Sequence, residues 1–175
     1  MTNGIYTKEV MKYFKHPRNM GRIENADGFG KVGNLICGDL MQLYIKVGKN
    51  SRGEAIIKNI KFETFGCVAA IATSSMITTL VKGKTLEEAL KVTKQDIVKS
   101  LGGLPQIKIH CSVLAADALS EAIYDYLTKN KLPVSEELKE RHGRIKKETM
   151  EIEERYKDYI KMEKKIWNVG DKKSK

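Results

Sequence analysis

The sequence predicts an α+β fold, with an antiparallel sheet formed early in the chain and helices packed against it. Three observations carry this. Period-two apolar alternation is concentrated between residues 39 and 64, helical periodicity takes over from residue 67, and strands and helices do not alternate as βαβ units would.

Taken in order, residues 7–15 read as a short helix stopped before Pro17. The glycine-rich run GFGKVGNLICG (28–38) is a weak strand leading into a loop. In DLMQLYIKV (39–47), Met41, Leu43, Ile45 and Val47 fall on one face, which marks a strand. GKNSRG turns the chain into AIIKNIKFET (55–64), where Ile60 and Phe62 oppose Asn59, Lys61 and Glu63, completing a meander. Residues 67–81 form a helix closed by Lys82 and Gly83 as last-turn cation and C-cap. Thr85 and Glu88 make a capping box for 86–92, and a short helix covers 94–100 ahead of GGLP. Residues 112–128 carry Ala115, Leu119, Ala122, Ile123 and Tyr126 on one face, an amphipathic helix.

Residues 131–175 differ in kind. Leu138, Ile145, Ile152, Tyr159 and Ile166 recur at intervals of seven in a highly charged background. Glu140–Arg144, Glu151–Arg155 and Glu153–Lys157 are spaced to support a long helix. The companion positions His142, Thr149, Tyr156 and Glu163 are too polar for a coiled-coil seam. The expected division is a domain over 1–130 and a helical extension over 131–175. The extension either rests its narrow stripe on its own domain or binds a partner, and deleting 134–175 is expected to leave a folded core.

A chain of 175 residues with 41% hydrophobic content suits one globular domain with an appendage. The uncharged run 64–81 reaches the length of a membrane span, but six of its residues bear hydroxyls, so a buried helix is expected and no membrane partner. The net charge of +10 is spread as +6 over 1–130 and +4 over 131–175 with acids interleaved, which argues against nucleic acid as a partner. Three cysteines, 30 and 44 residues apart, make a poor disulfide framework, and the N-terminus lacks an apolar signal core. Both point to a cytoplasmic protein.

Each cysteine falls at a break in regular structure. Cys37 lies in the glycine-flanked ICGD loop, Cys67 starts a helix after Phe65-Gly66, and Cys111 opens the last helix of the domain. Helix starts favour thiolates, which both nucleophiles and metal ligands require. Asp39 stands two residues after Cys37, and His110 abuts Cys111. Three sulfurs, a carboxylate and an imidazole suffice for a four-coordinate site with one spare ligand. Ordinary buried cysteines remain the alternative, because no C-x-x-C is present. A Cys–His nucleophile is a poorer fit: adjacent side chains at a helix start diverge, and neither His16 nor His142 has a motif around it.

With HPRNMG, CGDLMQLYIKV, KFETFGCVAAIATSSM, VKGKTLEEAL and LPQIKIHCSVLAADAL in that order, residues 5–128 resemble the iron–sulfur cluster assembly scaffolds of the IscU type, related to the N-terminal domain of NifU. The resemblance implies a three-stranded antiparallel sheet with helices packed against it and the cysteines gathered at one exposed end. It implies that Cys37, Cys67 and Cys111 are cluster ligands, joined by Asp39 and His110. Such scaffolds are not turnover enzymes. A cysteine desulfurase of the IscS or NifS type passes them persulfide sulfur, with Cys111 the implied acceptor. Iron and electrons complete a [2Fe–2S] cluster that goes to recipient apo-proteins, and zinc can take the same ligands. A monomer or weak homo-oligomer is expected.

The pattern agrees with the chemistry. Stable clusters normally have four thiolates, and an oxygen ligand such as Asp39 is a poor match for a cluster, so such a site should release what it holds.

Leu104, Pro105, Gln106, Ile107 and Lys108 stand where the family has its chaperone-recognition stretch, usually L-P-P-V-K, and the loss of one proline leaves dependence on an Hsp70-type chaperone open. Val68 replaces the family's Gly or Ala after the second cysteine, and the extension has no counterpart. Two other readings compete: a SufU-like zinc-dependent sulfur-transfer protein, and a structural zinc-binding or interaction module. The first usually lacks the histidine and carries an insertion that this chain does not have.

Overall fold

The computed structural model describes residues 4–33 and 38–170, with side chains through residue 151 and at 154 and 157. Strands β1 (Gly28–Gly33), β2 (Leu40–Lys49) and β3 (Ala55–Phe65) form an antiparallel meander in the order β1-β2-β3. Met41, Leu43 and Ile45 of β2 and Ile57, Ile60 and Phe62 of β3 are all but fully buried on one face. A register shift between Lys46 and Val47 breaks the alternation, as an extra residue in one strand does, and Val47 ends only partly buried.

Helix α1 (Lys8–Lys15) is capped by Thr7, whose side chain accepts from the Val10 N–H at 3.1 Å and donates to the Leu101 carbonyl. α2 (Val68–Val81) is the hydroxyl-rich run. Thr73, Ser74, Ser75 and Thr78 are buried, and their hydroxyls are satisfied within the protein. Ser74 donates to the Ala70 carbonyl at 2.7 Å, and Ser75 accepts from the Arg18 N–H at 2.7 Å. Among the described residues, no helix is long and apolar enough to cross a membrane.

α3 (Leu86–Leu90) and α4 (Lys94–Ser100) each begin with a capping box, Thr85 with Glu88 and Thr93 with Asp96. A 3₁₀ turn over Gln106–Lys108 leads into α5 (His110–Lys129). α5 lies close on β1: a Cβ at Gly28 or Gly30 would overlap the Ala122 or Ala118 carbonyl oxygen. The glycines that weaken β1 as a strand are what let the helix approach.

α6 (Glu136–Gly170) follows the turn at Asn130–Lys131. Leu138 and Ile145 of the stripe are buried in the same core as the sheet. Between them Arg141 donates to Ser120 Oγ at 2.7 Å, and His142 meets Glu121 at 3.0 Å while stacking on Tyr124 at 3.9 Å between ring centroids. Arg144, expected to pair with Glu140, pairs with Asp117 of α5 at 3.1 Å and with Glu148 at 3.6 Å. Burial pushes the Asp117 carboxyl up despite Arg144 and Arg141, so these arginines compensate a desolvated acid. Ile152, Tyr159 and Ile166, and the pairs involving Arg155 and Glu153, lie outside the described side chains.

Candidate metal centre

The sheet register builds the site. Leu40 pairs with Phe65, so Asp39, just before β2, and Gly66-Cys67, just after β3, are neighbours at one end of the sheet. A Cβ at Gly66 would lie 2.7 Å from Ala70 Cβ and 3.0 Å from the Asp39 carboxylate, so a side chain there would force the strand-to-helix corner open. Cys67 is the N-cap residue of α2 in an extended conformation. Cys111, the second residue of α5, is brought to it by Thr73, whose hydroxyl lies 3.2 Å from the Cys111 carbonyl oxygen and 3.1 Å from that of Ala70.

The thiols of Cys67 and Cys111 are 3.9 Å apart. Asp39 Oδ2 lies 3.9 Å from the Cys67 sulfur and 3.7 Å from that of Cys111. Two sulfurs on a tetrahedral metal with bonds of about 2.3 Å stand about 3.8 Å apart, and a sulfur and an oxygen about 3.5 Å. The three donors are therefore spaced as ligands of one metal ion. His110 joins Asp39 and Cys111, since one ligand atom each of these three residues lie within 4.8 Å of one another. Its Nε2 is buried with no hydrogen-bond partner among the described residues, an orphan that a metal would satisfy. Adjacent side chains at a helix start were expected to diverge. Here His110 and Cys111 both reach the carboxylate brought by β2, so convergence on a third residue is what joins them.

Exposure differs sharply within the site. Asp39 and Cys111 are buried at 5% and 1% exposed, while Cys67 is only half-buried. The implied exposed gathering of cysteines therefore applies to Cys67 and not to Cys111. Lys108 lies beside Cys67, and the negative charge of the Cys67 thiolate raises the lysine's pKa. Burial, and then the charge of Cys67, raise the Tyr6 phenol. Tyr6 is a site residue with no sequence signal of its own, delivered because the Thr7 cap anchors α1 beside Leu101. Of the expected partner-binding stretch, Leu104 packs beside Cys67 and Cys111, Pro105 precedes the 3₁₀ turn, Gln106 is exposed, Ile107 is 76% exposed, and Lys108 faces the thiols. Cys37 lies outside the described residues.

Residues 5–133 match the NifU-like N terminal domain. The chain is 59% identical over 126 residues to iron-sulfur cluster assembly scaffold protein IscU 1 of Archaeoglobus fulgidus, covering 72% of this chain and 79% of that one. It is 48% identical over 124 residues to the scaffold protein IscU of Aquifex aeolicus, covering 71% and 77%. Among solved structures, the fold is similar to a putative scaffold protein for the SUF system from Fervidobacterium islandicum, with TM-score 0.56, 24% identity and coverage of 70% and 99%. A family match over most of the chain, relatives of this identity, and thiols meeting a carboxylate at the sheet end lead to one conclusion: the chain belongs to the NifU-like N-terminal domain family, together with the IscU scaffolds.

Proposed function

We propose that this protein is a scaffold on which a [2Fe–2S] cluster is built from iron and persulfide sulfur and from which it passes to recipient apo-proteins. The observation that carries the reading is the meeting of Cys67, Cys111 and Asp39 at 3.7–3.9 Å beside a His110 nitrogen that has no hydrogen-bond partner among the described residues. Cys37, Cys67 and Cys111 supply the thiolates, and Asp39 and His110 complete or exchange at the fourth position. The bracketing residues Gly33 and Leu40 are paired at this same end of the sheet, which supports Cys37 as the remaining thiolate. A carboxylate is a hard, exchangeable donor against a soft cluster, so the cargo is held loosely enough to leave.

In this reading Cys111 holds the sulfur from which the cluster is built, and a cysteine desulfurase is the donor. Residues 104–108 form a partner-binding rim, with Ile107 as its exposed apolar member. The chain carries cargo and is not a turnover catalyst. It works in the cytoplasm, and zinc occupies the same donors when iron is absent.

Anaerobic reconstitution with ferrous iron and sulfide tests the proposal. The expected product has visible charge-transfer absorption and about two irons and two sulfides per chain, as a [2Fe–2S] unit requires. Uptake of zinc alone, with no iron–sulfide chromophore, would refute it.

A further inference from the structure

We infer that sulfur reaches the site through a two-thiol relay: Cys67 receives it from the donor, and Cys111 then takes it from Cys67 across their 3.9 Å contact. The inference rests on the scaffold reading and adds the order in which the thiols act.

Access sets the first step. Thiol exchange requires a thiolate to attack the donor's outer sulfur directly, so the receiving thiol must be reachable. Cys111 is 1% exposed, whereas Cys67 is half-buried at the start of α2. Lys108 lies close to Cys67, which places a cation beside the receiving sulfur. The Cys67 thiolate attacks the outer sulfur of a persulfide R–S–SH, the R–S⁻ thiolate departs, and Cys67–S–SH remains.

Distance sets the second step. Exchange between two cysteines passes a sulfur along a line of three sulfur atoms, whose outer pair stands farther apart than twice the 2.05 Å S–S bond, beyond about 4.1 Å, because both bonds are partial at the midpoint. The Sγ atoms stand 3.9 Å apart, so a modest separation of the two side chains admits the transferred sulfur between them. Cys111 attacks the outer sulfur of Cys67–S–SH, Cys111–S–SH forms, and the Cys67 sulfur leaves as a thiolate beside Lys108. The proton lost by Cys111 ends on Cys67. Asp39 Oδ2, 3.7 Å from one sulfur and 3.9 Å from the other, is placed to carry it. No oxidant or reductant is consumed, because one sulfane sulfur moves between two thiols. The result is a guarded sulfur, taken in at an accessible thiol and stored at one that solvent does not reach.

The test exposes the full chain to glutathione persulfide, quenches with an alkylating agent at successive times, and locates sulfur by peptide mass spectrometry. In the unmodified chain, persulfide should appear first on Cys67 and later on Cys111. Cys111→Ser should leave sulfur on Cys67, and Cys67→Ser should slow loading of Cys111 by at least tenfold, with Cys67→Ala giving the same result if the serine variant folds poorly. Cys111 loaded before Cys67 in the unmodified chain, or at an undiminished rate without Cys67, would overturn the relay. Reconstitution with inorganic sulfide bypasses both steps. A chain that builds a cluster that way while loading Cys111 directly refutes the relay and leaves the scaffold standing.

Discussion

The sulfurs of Cys67 and Cys111 stand 3.9 Å apart although 44 residues separate them, and one buried hydroxyl, that of Thr73, ties the two helices that carry them. Thr73 is fully buried in α2, two turns from Cys67, and reaches the backbone carbonyl of Cys111 itself. The packing of α2 against α5 thus brings the two thiols together.

Thr73→Val keeps the side-chain shape and removes this hydrogen bond. A loss of about 1 kcal/mol in stability is expected, together with a shorter lifetime of the reconstituted cluster. Thr73→Ser should recover both. Denaturant melts and decay of the cluster absorption check this. A valine variant with an unchanged lifetime would remove Thr73 from the positioning of the site.

Lys108 bears on reactivity. Its pKa is raised, chiefly by the negative charge of Cys67, so it stands as a cation beside that sulfur at neutral pH. Lys108→Ala should slow alkylation of Cys67 several-fold at pH 7.5, an effect that high salt should reproduce in part in the unmodified chain. Peptide mapping after limited iodoacetamide treatment gives the rate at each cysteine.

The extension bears on stability. Leu138 and Ile145 are buried, and side chains of this kind contribute about 1.5–3 kcal/mol each. We expect a chain cut before residue 134 to remain folded and able to bind metal, because the ligands lie in the preceding elements. It should melt well below the full chain, since Asp117 also loses Arg141 and Arg144. A chain ending at Met150 keeps these contacts and should melt close to the full chain. Thermal melts of the three forms decide this.

Much of this was legible in the sequence because it is local. The capping boxes at Thr85 and Thr93, the alternation in β2 and the buried face of α5 each follow from neighbours a few residues apart, and the first two cysteine corners announced themselves by their glycines. What was not legible depends on distance in the chain. Arg144 finds Asp117 across two helices, and the i,i+4 rule has no knowledge of that partner. Tyr6 reaches the thiols only because α1 docks beside Leu101. The convergence of His110 with Cys111 needed the carboxylate of Asp39, and the sheet register that delivers it joins residues 25 positions apart, Leu40 and Phe65. The difference in exposure between Cys67 and Cys111 is likewise a property of helix packing, which no motif encodes.

The central claim is that Asp39 makes the site labile, and Asp39→Ala tests it most directly. The carboxylate opens a coordination position for the recipient's thiolate, and without it His110 completes the ligand set. The half-life of the reconstituted cluster and its transfer rate to an apo-ferredoxin, measured in one preparation, should move in opposite senses, with retention lengthened and transfer slowed. A variant that loses its cluster faster than the unmodified chain would contradict the account and leave Asp39 as a residue that only shapes the turn before β2.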